Sequence, residues 1–215
     1  MAKAPVPGAV KTRLVPPLTE EQAAELYRAL LLDQLEHLSV LDEADLYVAF
    51  TPDEAAGLIK SLAPAGFHCF PQHGDDLGAR MDEVFAELWR RGHRSSVIIG
   101  GDLPPVPLDT LRQAFARLAP VEKRVILGPS RDGGYYLVGM NQPTPEIFSG
   151  MTWSHNRVFA QTTEKLANMG IAFGLSPVSF DIDTIEDIER LRAISEPTVR
   201  GAMKRTLAFL HLSKL

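Results

Sequence analysis

Cysteine is almost missing: the single thiol, Cys69, cannot close a disulfide within the chain and lies in an apolar stretch that suits burial, so a reducing, cytoplasmic setting is expected. Long hydrophobic runs are missing too. No stretch of roughly eighteen apolar residues occurs, and the N-terminal residues lack the apolar core of a secretory signal, so neither a membrane span nor export is expected. Positive charge is not in surplus. The formal net charge of −5 argues against neutralising a nucleic-acid backbone, and nucleic acid is not an expected partner. Zinc hydrolysis and serine chemistry find no support either: the six histidines are scattered, and His-Glu-x-x-His, Cys-x-x-Cys and Gly-x-Ser-x-Gly do not occur.

What is present is an ordinary globular composition, 45% hydrophobic and 23% charged over 215 residues, which suits one domain spanning 1–215. Thr19 with Gln22 and Thr51 with Glu54 have capping-box spacing, and Pro52 suits a first helical position, so helices are expected near 20–39 and 52–63. Further helices are expected near 78–91, 108–118, 157–168, 184–194 and 199–212. Short apolar runs at Leu46 to Phe50, Phe67 to Phe70, Val97 to Ile99, Val125 to Leu127 and Tyr135 to Val138 read as strands, followed by an extended stretch from Ile171 to Val178. This alternation implies an α/β fold with a mainly parallel sheet covered by helices on both faces, three layers in all. In such sheets ligands bind beyond the carboxyl ends of the strands.

Four segments carry residues suited to chemistry. The loop from Lys3 to Arg13 sets Lys3, Lys11 and Arg13 among the turn residues Pro7 and Gly8, a pattern that suits a phosphate; it lacks the glycine before Lys11 that a Walker loop needs, and a solvated basic N-terminus is the bland alternative. Gly100, Gly101 and Asp102 follow a strand directly. A hard divalent cation, Mg²⁺ or Mn²⁺, would take that carboxylate, and Gly101 would admit a ligand close to the backbone, although a turn aspartate bonding its own backbone is the competing reading. Asp132, Gly133, Gly134 and Tyr135 form a hinge entering a strand; Asp132 could orient an acceptor hydroxyl or act as general base, or simply make a tight turn. Tyr135 and Tyr136 should point to opposite faces, so at most one lines a site. Asp181 and Asp183 share one face of an extended piece and could complete a metal site with Asp102, whereas Glu186 and Asp187 belong to a helix start opened by Thr184. Weaker signals are the glycine-framed loop with Gly78 and Arg80, suited to a base or ribose, and Trp153, either a lip over the acceptor or plain packing.

The strings AKAPVPGAVKTRL, GGDLPP, GPSRDGGYYLVG, WS and DIDTIEDIERL, in this order from about Ala2 to Leu191, resemble a family of glycosyltransferase-A-like bacterial transferases labelled radical-SAM/selenodomain-associated or arsenosugar-biosynthesis glycosyltransferases. More distantly the chain is similar to 2-phospho-lactate guanylyltransferase and the molybdenum-cofactor nucleotidyltransferases. The resemblance implies a nucleotide-diphospho-sugar transferase fold, a phosphate clamp of Lys3, Lys11 and Arg13, a metal at Asp102 with Asp181 or Asp183, and an acceptor wall from Asp132 to Tyr135. Lys11, Asp102 and Asp132 are the expected catalytic residues. A nucleotide or nucleotide-sugar and a small-molecule acceptor are the implied partners, with glycosyl transfer, nucleotidyl transfer and non-catalytic binding all open. Two departures stand out. Relatives carry a strand before the basic loop for which Met1 and Ala2 leave no room, and His155 and Asn156 follow Trp153-Ser154 in place of a Thr-Pro pair.

Overall fold

The computed structural model describes residues 1–119 and 122–213; positions 120, 121, 214 and 215 of the expected 1–215 domain lie outside the described residues. In chain order the strands are β1 (Ala2–Lys3), β2 (Leu46–Thr51), β3 (Phe67–Pro71), β4 (Ser96–Ile99), β5 (Arg124–Pro129), β6 (Tyr135–Met140) and β7 (Ala172–Leu175). The helices are α1 (Glu20–Leu38), α2 (Ala56–Leu62), α3 (Leu77–Arg90), α4 (Leu108–Leu118), α5 (Val158–Asn168), α6 (Ile185–Arg192), α7 (Pro197–Ala202) and α8 (Lys204–Leu212). They fall into two compact units interleaved in sequence. One holds Met1–Pro71, Gly101–Leu108 and the chain from Asp181 on; the other holds Gln72–Gly100 and Asp109–Phe180. Among the described residues no helix is long and apolar enough to cross a membrane.

In the first unit β1, β2 and β3 pair in parallel with β2 central. The first strand, for which the sequence left no room, is present as a two-residue piece. Ala2 lies opposite Phe50 and Lys3 opposite Thr51, and the Ala4 N–H continues the ladder to the Thr51 carbonyl at 2.8 Å, which satisfies backbone groups of β2 that would otherwise be orphaned. Helix α1 starts where its capping box places it: Thr19 accepts from the Gln22 N–H, and the Gln22 side chain accepts from the Thr19 N–H at 2.9 Å. Its apolar stripe, Ala24, Tyr27, Leu31 and Leu35, packs with Val48, Phe50, Ile59 and Leu62 into one core.

Two expectations for this unit are corrected. Thr51 caps no helix, because the sheet takes it as the last residue of β2; Pro52 then precedes a 3₁₀ turn at Asp53–Ala55, and α2 begins only at Ala56. The segment near 199–212 is two helices, broken at the buried Met203. The break has a cause in α1. The carboxylate of Asp33, 1% exposed, accepts the backbone N–H groups of Arg205 (3.1 Å) and Thr206 (2.8 Å), and so caps α8 from a neighbouring helix.

The second unit has a sheet in the order β4-β6-β5-β7. β5 and β7 are parallel, but β6 runs antiparallel to both β4 and β5. The reason is the connection. Only Ser130 to Gly134 separate β5 from β6, enough for a tight turn and too little for the crossover that a parallel pair requires. Val125, Ile126, Leu127 and Leu137 are all fully buried in this sheet. Gly139 lies so close to α4 that a Cβ there would stand 3.1 Å from Leu118.

Candidate functional site

The first unit brings together charged residues from three distant parts of the chain. Val10 and Leu14, both buried, draw the basic loop inward on either side of Lys11, whose backbone sits in the left-handed region at φ 50 and ψ 34. The side chain of Lys11 is thereby buried, 2% exposed, with Nζ 2.8 Å from Asp102 Oδ2 and 3.0 Å from Asp183 Oδ1. The same ammonium lies 6.0 Å from the centre of the Tyr27 ring. Burial works against its charge, but Asp102 and Asp183 together outweigh burial and hold its pKa above the ordinary lysine value. Arg13 stands further out, 70% exposed, 3.5 Å from Asp183 Oδ2; Lys3 is exposed, and its backbone N–H donates to the Tyr27 hydroxyl at 2.8 Å. Pro7 and Gly8 form the exposed tip of the loop, Gly8 at φ 76 where a side chain would be strained.

Asp102 is held by its own segment. Its carbonyl accepts the Ile182 N–H at 3.0 Å, and Leu103 is fully buried beside it. Further along, Val106 is gripped at both backbone groups by one face of α1: its N–H donates to Gln34 Oε1 (3.1 Å) and its carbonyl accepts from His37 Nε2 (3.0 Å). That bond puts the His37 proton on Nε2. Burial lowers the His37 pKa, with the Val106 carbonyl and the charge of Glu196 opposing it. Gly101 is buried, and a Cβ there would stand 3.2 Å from the Met1 carbonyl and 3.4 Å from Ala2, so close packing on β1 explains this glycine.

Asp183 precedes the Thr184–Asp187 capping box that starts α6, and its N–H donates to Asp187 Oδ2 at 3.2 Å. Asp187 is desolvated, yet the hydrogen bonds from Thr184, the Asp183 N–H and Arg190 outweigh that and lower its pKa. Glu186 and Asp187 therefore belong to the helix start. Of the two earlier acids, Asp183 carries the ion pairs to Lys11 and Arg13, and Asp181 lies half-buried two residues before it.

Among the described residues no group of three or more His, Cys, Asp or Glu side chains is placed to hold a metal alone. Asp102 and Asp183, 36% and 39% exposed, each direct one oxygen to the Lys11 ammonium, and these two carboxylates are the residues that could hold a divalent ion together with oxygens from a phosphate and water.

The second unit gathers most of the other candidates. Asp132 accepts the Gly134 N–H at 2.9 Å, the tight-turn role the sequence had left level with acceptor binding, and Gly133 has φ 89 with its backbone against Asn156. Tyr135 packs edge-on to Trp153, ring centres 6.4 Å apart, while Tyr136 turns the other way and donates to the Pro177 carbonyl at 3.0 Å. Gly78 lies directly beneath the Trp153 ring, and Arg80 closes the loop before α3 by donating to the Gly74 carbonyl at 3.0 Å. The Tyr135 hydroxyl and Trp153 Nε1 are buried without hydrogen-bond partners among the described residues. Burial raises the Tyr135 pKa well above the ordinary tyrosine value. Tyr27, Gln34 and His37 were not among the sequence candidates; at helical spacing in an amphipathic stretch they carry no signal that separates them from core residues.

This fold is the three-layer α/β/α class, with mainly parallel strands, that the nucleotide-diphospho-sugar transferases and nucleotidyltransferases share. The chain belongs to the DUF2064 family, described as an uncharacterized protein conserved in bacteria, whose profile matches residues 34–155. Among solved structures it is similar to a protein of Desulfovibrio desulfuricans G20 named provisionally as a nucleotide-diphospho-sugar transferase, at 29% identity and TM-score 0.82 over 98% of this chain and 94% of that one. The 4-diphosphocytidyl-2C-methyl-D-erythritol synthase of Anaerococcus prevotii shares 12% identity at TM-score 0.51 over 76% of this chain and 84% of its own. A Bacillus anthracis protein named provisionally as a glucose-1-phosphate thymidylyltransferase shares 13% at TM-score 0.50 over 89% and 92%. No curated protein matches the chain.

Proposed function

We propose that the chain is a metal-dependent transferase acting on a nucleotide-activated substrate, in the first place a nucleotide-diphospho-sugar. The observation that supports this most is the meeting of Lys11 with Asp102 and Asp183, in a chain whose structural neighbours are nucleotide-diphospho-sugar transferases and nucleotidyltransferases. Asp102 and Asp183 would hold Mg²⁺ or Mn²⁺, with Asp181 as a further candidate, and the ion would supply neutralisation of charge building on the leaving diphosphate. Lys3, Lys11 and Arg13 would bind the diphosphate oxygens, with the turn at Pro7 and Gly8 shaping the loop they come from. Taken by itself, the second unit offers Asp132 and the Gly133-Gly134 backbone, with Tyr135 and Trp153, as candidates for holding a hydroxyl, and Gly78 and Arg80 as candidates for a base or ribose. The acceptor oxygen then bonds to the anomeric carbon, and the carbon–oxygen bond to the diphosphate breaks with the electron pair leaving on the diphosphate.

Nucleotidyl transfer is the second reading, supported by the single Asp-x-Pro at Asp102 and by neighbours named as cytidylyl- and thymidylyltransferases. There the bond forms at the α-phosphorus and pyrophosphate leaves. Incubation with a panel of nucleotide sugars and nucleoside triphosphates plus Mn²⁺, each together with a panel of small-molecule hydroxyl and phosphate acceptors, separates the readings. Released nucleoside diphosphate supports glycosyl transfer, pyrophosphate supports nucleotidyl transfer, and binding without turnover contradicts both in favour of a non-catalytic binder.

A further inference from the structure

Lys11 occupies the place a cation would take between the two carboxylates. Its Nζ reaches Asp102 Oδ2 at 2.8 Å and Asp183 Oδ1 at 3.0 Å, its side chain is 2% exposed, and the aromatic face of Tyr27 lies behind it. The lysine is also held in a left-handed backbone conformation that a residue with a side chain seldom adopts, and that persists where surrounding contacts over-determine it. A divalent ion bound by the same two oxygens would face a full positive charge at hydrogen-bond distance. The two cations cannot share the position, and the ammonium cannot leave without another anion to receive it.

We propose that Lys11 is an internal counter-ion that blocks the divalent site until a diphosphate arrives, so that metal and diphosphate bind only as a pair. This rests on the proposed metal-dependent nucleotide chemistry and adds the order of events: a phosphate oxygen takes over the Lys11 ammonium, which frees Asp102 and Asp183 for the metal. By linkage, the metal and the diphosphate strengthen each other's binding by the same factor. No bond is made or broken in this step; the lysine exchanges two carboxylate partners for phosphate oxygens.

The test is Mn²⁺ binding followed by electron paramagnetic resonance, with no substrate turnover involved. Wild-type protein should bind Mn²⁺ weakly alone and about tenfold or more tightly with inorganic pyrophosphate or a nucleoside diphosphate drawn from UDP, GDP, CDP and ADP. Lys11→Gln, which removes the charge and leaves a shorter, neutral amide, should bind Mn²⁺ alone about tenfold more tightly than wild type and gain little from pyrophosphate. Lys11→Met is the second variant, read the same way. A folded variant of either kind that binds free Mn²⁺ no better than wild type overturns the proposal, as does wild-type affinity for Mn²⁺ that pyrophosphate and the diphosphates leave unchanged while the Mn²⁺-independent nucleotide affinity is intact. Failure of wild type to bind any nucleotide or pyrophosphate, with or without Mn²⁺, overturns the proposed function itself and this inference with it.

Discussion

The carbonyl of Asp102 accepts the N–H of Ile182 at 3.0 Å, and through this bond two carboxylates from distant parts of the chain, Asp102 and Asp183, come to share one lysine. The backbone does the aligning. Lys11 is then drawn in by charge, while Val106, bonded to Gln34 and His37, keeps the Asp102 segment against α1. The consequences divide into those for stability and those for binding.

Asp33→Ala should cost about 2–4 kcal/mol of stability, because two N–H groups at the start of α8 lose their acceptor and Arg205 loses a buried carboxylate. Asp33→Asn, which keeps an acceptor, should cost less. Denaturant unfolding of both variants measures the difference, and equal losses would mean that the cap is not what holds α8.

His37 should make stability fall with mild acid. Burial lowers its folded pKa below the ordinary 6.5, so the folded state binds fewer protons than the unfolded one. The stability it contributes is complete above the unfolded value and is lost as pH falls through the folded value. Between about pH 7.5 and about pH 5.5 the wild-type melting temperature should drop further than that of His37→Gln, which keeps an N–H for the Val106 carbonyl but does not titrate. Parallel slopes would remove His37 from the explanation.

Gly78→Ala sets two effects against each other. Alanine in the first turn of α3 gains up to about 1 kcal/mol of helix propensity, whereas its Cβ would overlap the Trp153 ring, and forcing a well-packed aromatic aside costs about 1–3 kcal/mol. Overlap should win. In a Trp89→Phe background, where Trp153 is the remaining indole, the variant should show lower stability and a shifted emission maximum; a more stable protein with unchanged emission would show that the ring yields freely.

Much of this architecture was legible in the residues. The capping boxes at Thr19 and Thr184 have local physics, and both appear where the spacing put them. So do the apolar runs that became β2 to β6. Two misses were set by partners far away in sequence, the break at Met203 by Asp33 and the fate of Thr51 by its pairing with Lys3 of β1, whereas the direction of β6 follows from a short local turn that an alternating pattern alone does not weigh. At the candidate site the charged residues were readable because buried or turn-framed charge is rare. Tyr27, Gln34 and His37 were not, since their roles there come from what the folded chain places against α1.

The most direct measurement is nucleotide affinity of wild type and Asp102→Asn by calorimetry, with and without Mn²⁺, across a panel of nucleoside diphosphates. Wild type should bind at least one nucleotide about tenfold or more tightly with Mn²⁺ than without it, and Asp102→Asn should lose that gain while staying folded, at a melting temperature lowered by the loss of one charged partner of the buried Lys11. A folded Asp102→Asn protein that keeps the full Mn²⁺-dependent affinity would contradict the account.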